Sequence, residues 1–184
     1  MKKIYSSLDD LIKNELSTEE EANTAVLITE LEHVKKQGYL TKDEFLKIGM
    51  WKSPRAKRYQ LKNSEAEVIS TSKEVLSTDF EKRRLELLDK LRGVAIPTAS
   101  AILMIIDPEN YGVIDIRVWQ ILFLYGSVKV NLTGTNLSFE NWYNYLMKLR
   151  YYSKKFNVSA RNIEITIFKH HKKIQEGNLY PGNS

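Results

Sequence analysis

The chain contains no cysteine. This absence excludes disulfide bonds, thiolate metal sites and iron–sulfur clusters held by cysteine. The sequence also has no apolar run long enough to span a membrane, and its opening residues, MKKIYSSLDD, lack the apolar stretch of a secretory signal. We therefore expect a protein of the reducing intracellular compartment, cytoplasmic or, in a bacterium, associated with the nucleoid, and without a membrane partner.

Common nucleotide-binding and metal-binding signatures are missing as well. The sequence has no P-loop, no G-x-G-x-x-G and no H-E-x-x-H motif. His170 and His171 are adjacent, but neighbouring residues of a helix point about 100° apart, which disfavours a shared metal ion. The sequence therefore predicts no metal site and no organic cofactor.

Length and patterning indicate one helical domain over residues 1–184. The chain is 42% hydrophobic and 28% charged, as folded globular proteins are, and no internal repeat or linker divides it. Only SVKVNL alternates as a strand would, and it lies in the glycine-containing stretch 126–137. We predict an all-α fold of about nine or ten helices in two lobes, with helices that include 97–106, 116–125, 139–155 and 160–174.

Short polar signatures mark where several helices should begin. In a capping box, a Ser or Thr hydroxyl accepts a hydrogen bond from the backbone amide three residues on, and a Glu at that position reaches back to the first amide. The pattern occurs at Ser17–Glu20, Thr41–Glu44, Ser64–Glu67 and Thr78–Glu81. Each pair therefore predicts the first turn of a helix.

Positive charge is concentrated in two segments. The net charge is +5, yet residues 1–46 carry more Asp and Glu than Lys and Arg. Lys47–Lys62 has six basic residues and no acid, and Tyr145–Lys173 has eight, opposed only by Glu164. Such asymmetry favours a polyanionic partner, because neutralising phosphates releases condensed counterions. A basic run is also typical of the solvated face of an ordinary helix, and this alternative stays open.

The stretch LRGVAIPTASAIL, residues 91–103, combines a helix end, a tight turn and a helix start. Gly93 is suited to end the first helix because it can adopt positive φ, and Pro97 fits the first turn of the next helix. The same spacing is typical of any antiparallel helix pair. In a functional turn, free backbone amides would bind an anion, namely those of Gly93, Val94, Ala95 and Ile96.

A single acid, Asp115, precedes the apolar helix predicted at 116–125. Aspartate is a preferred N-cap, so a purely structural role is one interpretation. The positive end of the helix also favours the ionised carboxylate. In a dry pocket, such a group can orient water and stabilise a developing sugar cation, which is what breaking an N-glycosidic bond requires.

Together, LRGVAIPTASAIL and the following VIDIRVW resemble the signature of the helix-hairpin-helix DNA glycosylase superfamily. The hairpin of that family reads roughly L-x-G-V-G-x-x-T-A, and the matching residues are Leu91, Gly93, Val94, Thr98 and Ala99. Its catalytic aspartate lies in a V-D-T-H-V-like segment, which corresponds to Asp115, eighteen residues after Pro97. The motif match covers residues 85–122.

The resemblance implies a fold and a partner. It implies a phosphate-binding hairpin over 85–106, an aspartate-bearing helix over 115–125 and double-stranded DNA as the ligand. In some members a monovalent cation is held by hairpin carbonyls, so the same is implied as an option here.

Three positions depart from the family pattern. Pro97 stands where bifunctional members carry a catalytic Lys, which excludes a Schiff-base lyase route through that position. Ala95 replaces the second hairpin glycine, which weakens close backbone approach to a phosphate. Arg117 replaces a His and could pair with a phosphate or with Asp115, and a tight pair with Asp115 would make the acid structural.

Further site residues are predicted around these motifs. Trp51 is a candidate for stacking on an extruded base, weighed equally against a core tryptophan. Trp119, one turn beyond Asp115, is a second pocket candidate, although its apolar neighbours favour the core. The side chains expected at DNA phosphates are Lys52, Arg55, Lys57, Arg58, Thr98 and Arg117.

Three functions are compatible with the sequence. The favoured hypothesis is a monofunctional DNA glycosylase that hydrolyses the bond to a damaged or modified base with Asp115. The second is a non-catalytic DNA-binding module on the same fold, which Ala95, Arg117 and the missing Lys support. The third is a helical protein-interaction domain, which predicts no salt-dependent affinity for duplex DNA.

Overall fold

The computed structural model describes residues 1–177 and Leu179, and every regular element in that part of the chain is helical. The all-α prediction is confirmed. No described helix is long and apolar enough to cross a membrane. The α-helices are α1 (Leu8–Glu15), α2 (Ala22–Leu31), α3 (Val34–Gln37), α4 (Lys42–Lys52), α5 (Lys57–Gln60), α6 (Glu65–Ser77), α7 (Glu81–Asp89), α8 (Ile96–Ile106), α9 (Ile116–Leu124), α10 (Phe139–Phe156) and α11 (Ala160–Ile174), with a 3₁₀ turn at Pro54–Ala56.

The helices form two groups that pack mainly within themselves. In the first group, α2, α4 and α7 pack on α8, and α6 packs on α4 and α7. In the second group, α1, α9 and α10 pack on α11, so the first helix of the chain lies against the last. Contacts of α10 with α7 and α8 join the two groups.

The central helix of the first group, α8, is buried along its length. Every residue from Thr98 to Ile106 is buried, as its almost wholly apolar sequence TASAILMII requires. Ser100 is one of its few polar side chains. Its hydroxyl donates to the Pro97 carbonyl at 2.9 Å and accepts from the Ile114 amide at 3.1 Å. The buried helix therefore fixes the segment that leads to Asp115.

Two of the four predicted capping boxes are present, and the other two predictions are wrong. Thr41 with Glu44 and Ser64 with Glu67 form both reciprocal hydrogen bonds. Ser17 does not cap a helix, because α2 begins at Ala22 with Glu21 as its N-cap. Thr78 is also displaced, since α7 begins after Phe80, whose amide donates to the Thr78 hydroxyl at 3.3 Å.

The carboxylates of the two failed boxes have other partners. Glu20 accepts two hydrogen bonds from Arg161, at 2.7 and 2.9 Å. Glu81 accepts from Arg150 at 2.7 Å and from the Tyr111 hydroxyl at 3.0 Å. Charged hydrogen bonds of this kind are stronger than a neutral cap, so the tertiary partners determine where these side chains lie.

Candidate functional site

Asp115 is the N-cap of α9, and its Oδ1 accepts a hydrogen bond from the Val118 amide at 3.0 Å. The residue two positions earlier, Val113, is held from both sides. Its amide donates to Glu164 Oε2 at 3.3 Å, and its carbonyl accepts from the Tyr145 hydroxyl at 2.9 Å. Asp115 is therefore attached to a rigid segment. Within the described residues, its second carboxylate oxygen has no hydrogen-bond or ion-pair partner.

The hairpin has the predicted turn, with two corrections. Gly93 has φ +79, the left-handed conformation that glycine favours, but it does not end the helix, because α7 ends at Asp89 with Lys90 as its C-cap. Ala95 is the N-cap of α8. The Val94 amide is not free, because it donates to the Leu91 carbonyl at 3.1 Å. The amides of Gly93, Ala95 and Ile96 have no acceptor among the described residues.

One side of the hairpin is covered by α5. A Cβ at Gly93 would lie 2.9 Å from Gln60 Cγ and 3.1 Å from Tyr59 Cβ. The Asn63 side chain accepts from the Arg92 amide at 2.8 Å and donates to the Arg92 carbonyl at 3.0 Å. There is therefore no room for a side chain at Gly93 on the side that faces α5. The open part of the bend is Ala95–Thr98.

The open part of the bend faces a cavity of about 590 Å³, which we call the hairpin cavity. Residues 95–98 form one part of its wall, and Asp115 and Arg117 form another. The loop 134–137, the end of α4, Asp89 and Leu179 also line it. The volume lies within the roughly 300–1,000 Å³ of typical ligand sites. The two segments that resemble the glycosylase signature therefore open onto the same space.

A second cavity, of about 240 Å³, shares Lys52, Asp115 and Arg117 with the hairpin cavity. Trp51 and Phe168 line it, so we call it the aromatic cavity and the two together the cleft. The Trp51 ring is fixed by a hydrogen bond from Nε1 to the Thr24 hydroxyl at 3.1 Å. Because a protein cavity of about 150 Å³ can hold benzene, the aromatic cavity has room for a planar heterocycle.

The other wall of the aromatic cavity is an ion network that the sequence motifs do not reveal. Arg161 bridges Glu20 and Glu164. Burial raises the pKa of Glu164, partly offset by Arg161. Burial alone would lower the pKa of Arg161, but Glu164 and Glu20 outweigh it and raise that pKa. The i,i+3 spacing of Arg161 and Glu164 on α11 was a weak local signal, whereas Glu20 lies far away in the sequence.

The two cations beside Asp115 do not form an ion pair with it. No salt bridge within the described residues joins Asp115 to Arg117 or to Lys52. The Arg117 guanidinium instead lies 5.5 Å from the centre of the Phe168 ring, and its Nε is buried without a partner. Burial lowers the pKa of Lys52, and the negative charges of Asp115 and Glu164 oppose this effect. The arrangement that would have made the acid purely structural is therefore not present.

The prediction of Trp119 as a pocket wall is wrong. Its side chain is fully buried, and its Nε1 donates to the Asn131 carbonyl at 2.7 Å. A Cβ added at Gly134 would lie 3.3 Å from the Trp119 Cβ, so the loop approaches Trp119 closely. His170 and His171 also have separate surroundings, since His171 Nε2 lies 2.9 Å from Gln120 Oε1 and His170 Nδ1 lies 3.2 Å from Glu15.

The predicted phosphate contacts divide by location. Arg55 is exposed and lines the hairpin cavity. Lys57 and Arg58 are exposed on α5 beside the hairpin, where Arg58 stacks 4.6 Å from the Tyr59 ring centre. Thr98 is buried but lines the hairpin cavity.

Comparison with protein-family models, curated proteins and solved structures gives no match for this chain.

Proposed function

We propose that this chain binds duplex DNA and releases a damaged or modified base by hydrolysing its N-glycosidic bond, on a helix-hairpin-helix glycosylase-like fold. The observation that carries this proposal is the meeting of two motif segments at one cleft. The hairpin contributes the free amides of Ala95 and Ile96, and the start of α9 contributes Asp115.

DNA binding would use the open side of the hairpin and the basic residues next to it. Free backbone amides at a helix start suit a phosphate oxygen. Arg55 on the cavity rim and Lys57 and Arg58 on α5 supply positive charge along the same side. These contacts would position the duplex without selecting its sequence.

The aromatic cavity would hold the extruded base. Enzymes that act on a base take it out of the stack and hold it against aromatic side chains. Trp51 and Phe168 supply that surface next to Asp115. The shared wall of Lys52, Asp115 and Arg117 then lies where the sugar of an extruded nucleotide connects the base to the backbone.

Asp115 would stabilise the positive charge that develops at C1′ as the bond to the base breaks. Its free oxygen would accept a proton from the water that attacks C1′. Transfer of that proton to the departing base would let the base leave neutral and would restore the carboxylate. Arg117 and Lys52 line both cavities and would bind the flanking phosphate through charged hydrogen bonds.

The test is Asp115→Asn. Asparagine caps a helix as well as aspartate does, so α9 and DNA affinity are expected to persist, while base release falls by about 10²–10³. The measurement scores alkali-labile abasic sites in duplexes that carry alkylated, oxidised or deaminated bases, with DNA affinity measured in parallel. Undiminished release by the variant, or no release by the unmodified protein across the panel, would refute the proposal.

A non-catalytic DNA-binding module is the second candidate, and it is favoured by Ala95 at the usual glycine position, which is the N-cap of α8. It predicts salt-dependent duplex binding without base release. A plot of log affinity against log salt separates it from a protein-interaction domain, since several phosphate contacts give a steep slope.

A further inference from the structure

A third cavity, of about 250 Å³, lies where the two helix groups meet, and none of its lining residues lines the cleft. We call it the junction cavity. It is at the end of α8 opposite to the hairpin cavity, and α3, α6, α7 and α10 contribute to its wall. The lining combines cationic side chains with aliphatic ones, namely Lys35, Arg84 and Arg150 with Leu76, Leu103 and Ile106.

The two arginines of the junction cavity are held in place by their neighbours but keep free donors. Glu81 Oε1 accepts from Arg150 Nη2 at 2.7 Å and lies 3.4 Å from Arg84 Nη1. Arg84 Nη1 also donates to the Tyr111 hydroxyl at 2.7 Å, and the Arg150 guanidinium lies 5.0 Å from the centre of the Tyr111 ring. The other terminal nitrogens, Arg84 Nη2 and Arg150 Nη1, form no hydrogen bond with any described residue, and neither is buried. Each guanidinium is therefore oriented by the protein and can still donate to a ligand.

The charged groups around the junction cavity leave one positive charge in excess. Lys35 Nζ lies 3.2 Å from Asp107 Oδ1, and these two charges compensate each other. Glu81 then supplies one negative charge to both Arg84 and Arg150. Cations are favoured at the C-terminal end of a helix, but within the described residues none of these cations donates to the last carbonyls of α8. The excess charge therefore favours a singly charged anion as ligand.

We propose that the junction cavity binds a small organic carboxylate through Arg84 and Arg150. The planar guanidinium group matches a carboxylate in shape as well as in charge. The short apolar body of the ligand would pack on Leu76, Leu103 and Ile106. Because a cavity of about 150 Å³ can hold benzene, a cavity of about 250 Å³ has room for a carboxylate with a chain of about six carbons. This binding site does not depend on the proposed function, since it shares no lining residue with the cleft.

The experiment titrates the full-length chain with hexanoate, which joins one carboxylate to a short apolar chain, and follows binding by calorimetry. We expect a Kd of about 1 mM or below, the range for a ligand of this size. Hexanol lacks the charge and hexylamine reverses it, so each should bind more weakly by about tenfold or more. Dimethyl phosphate carries one negative charge without an apolar chain and represents a DNA phosphodiester. It should also bind more weakly by about tenfold or more.

Substitutions in the cavity wall locate the bound carboxylate. Arg150→Gln removes one guanidinium group and should lower hexanoate affinity by about tenfold or more. Lys35→Gln removes an exposed cation, with little risk to the fold, and should lower the affinity by about threefold. The matched control Lys36→Gln changes the adjacent exposed lysine of α3, which does not line the cavity, and should leave the affinity unchanged. Asp115→Asn alters the cleft and should also leave it unchanged.

Several results would overturn the inference. These are the absence of hexanoate binding, equal binding of hexanol, or an undiminished affinity in both Arg150→Gln and Lys35→Gln, which would place the carboxylate elsewhere. Displacement of hexanoate by duplex DNA or by dimethyl phosphate would assign the junction cavity to a phosphodiester surface and would also overturn it. Hexanoate binding without base release from any modified duplex would support the inference while the glycosylase proposal fails. Thermal unfolding of each variant confirms that the fold is intact.

Discussion

The basic segment is attached to the hairpin through Gln60, whose side chain lies in a slot between two glycines. Gln60 is fully buried, and its Nε2 donates to the Gly93 carbonyl at 3.3 Å. A Cβ added at Gly49 would lie 2.3 Å from Gln60 Oε1 and 2.7 Å from its Cδ. Gly49→Ala must therefore displace the amide. We expect this variant to lose stability, and the loss should depend on the Gln60 side chain.

The magnitude follows from two opposing effects. Displacing a buried amide from its hydrogen-bond partner costs about 1–3 kcal/mol, whereas replacing glycine by alanine within a helix stabilises by about 1 kcal/mol. Gly49→Ala alone should therefore lower the free energy of unfolding by up to about 2 kcal/mol. In a Gln60→Ala background no amide side chain occupies the slot, so Gly49→Ala should raise the free energy of unfolding by about 1 kcal/mol.

Urea unfolding of the four proteins in this double-mutant cycle measures the coupling. The reasoning requires the effect of Gly49→Ala to change sign between the two backgrounds. If the substitution has the same effect in both, to within about 0.5 kcal/mol, then Gln60 does not occupy the slot in solution. The attachment of α5 to the hairpin would then need another explanation.

Two further predictions concern charge. Burial, followed by the charge of Arg117, lowers the pKa of His171 to about 4. An unfolded imidazole titrates near 6.5, so between pH 6.5 and pH 4 the unfolded state binds more protons than the folded state. The free energy of unfolding should therefore fall by at most about 3 kcal/mol from pH 7 to pH 4. Urea unfolding of His171→Gln should lack that part of the pH dependence, and an identical profile would contradict the assignment. Arg161→Met leaves Glu20 and Glu164 without their shared cation and should lower the free energy of unfolding by about 3 kcal/mol or more. Adding Glu164→Gln should recover part of that loss. Thermal unfolding measures both variants, and a loss below about 1 kcal/mol in Arg161→Met would contradict the network.

Local patterns were sufficient to predict most of the later helices. The structure has helices at Ile96–Ile106, Ile116–Leu124, Phe139–Phe156 and Ala160–Ile174, within one residue of the predicted bounds at each end. Three of these segments combine apolar periodicity with a polar N-cap, and Pro97 marks the start of the fourth. All of these signals are local properties. The count of helices was low because α3 and α5 are single turns of four residues, which have no periodicity to detect.

Tertiary partners explain the errors. The box at Ser17 and Glu20 fails because Glu20 bonds Arg161, which lies 141 residues further along the chain. In the site, the hairpin and Asp115 were identifiable from short motifs, whereas Phe168 and Glu164 lie on α11 and became part of the cleft only because α11 packs on α9. Lys52 was grouped with Lys57 by sequence, and only packing shows that one lines the cleft and the other lies outside it.

Capping and catalysis were competing interpretations of Asp115, but its geometry makes them compatible. The cap uses Oδ1 and the Val118 amide, and this hydrogen bond fixes the direction of the carboxylate while the helix start favours its charge. The carboxylate is then held at the wall of the cleft by a contact that also stabilises α9. A charge fixed in this way needs no reorganisation when positive charge develops nearby. Asparagine keeps the cap and removes the charge, so Asp115→Asn separates the two roles more cleanly than alanine, which removes both.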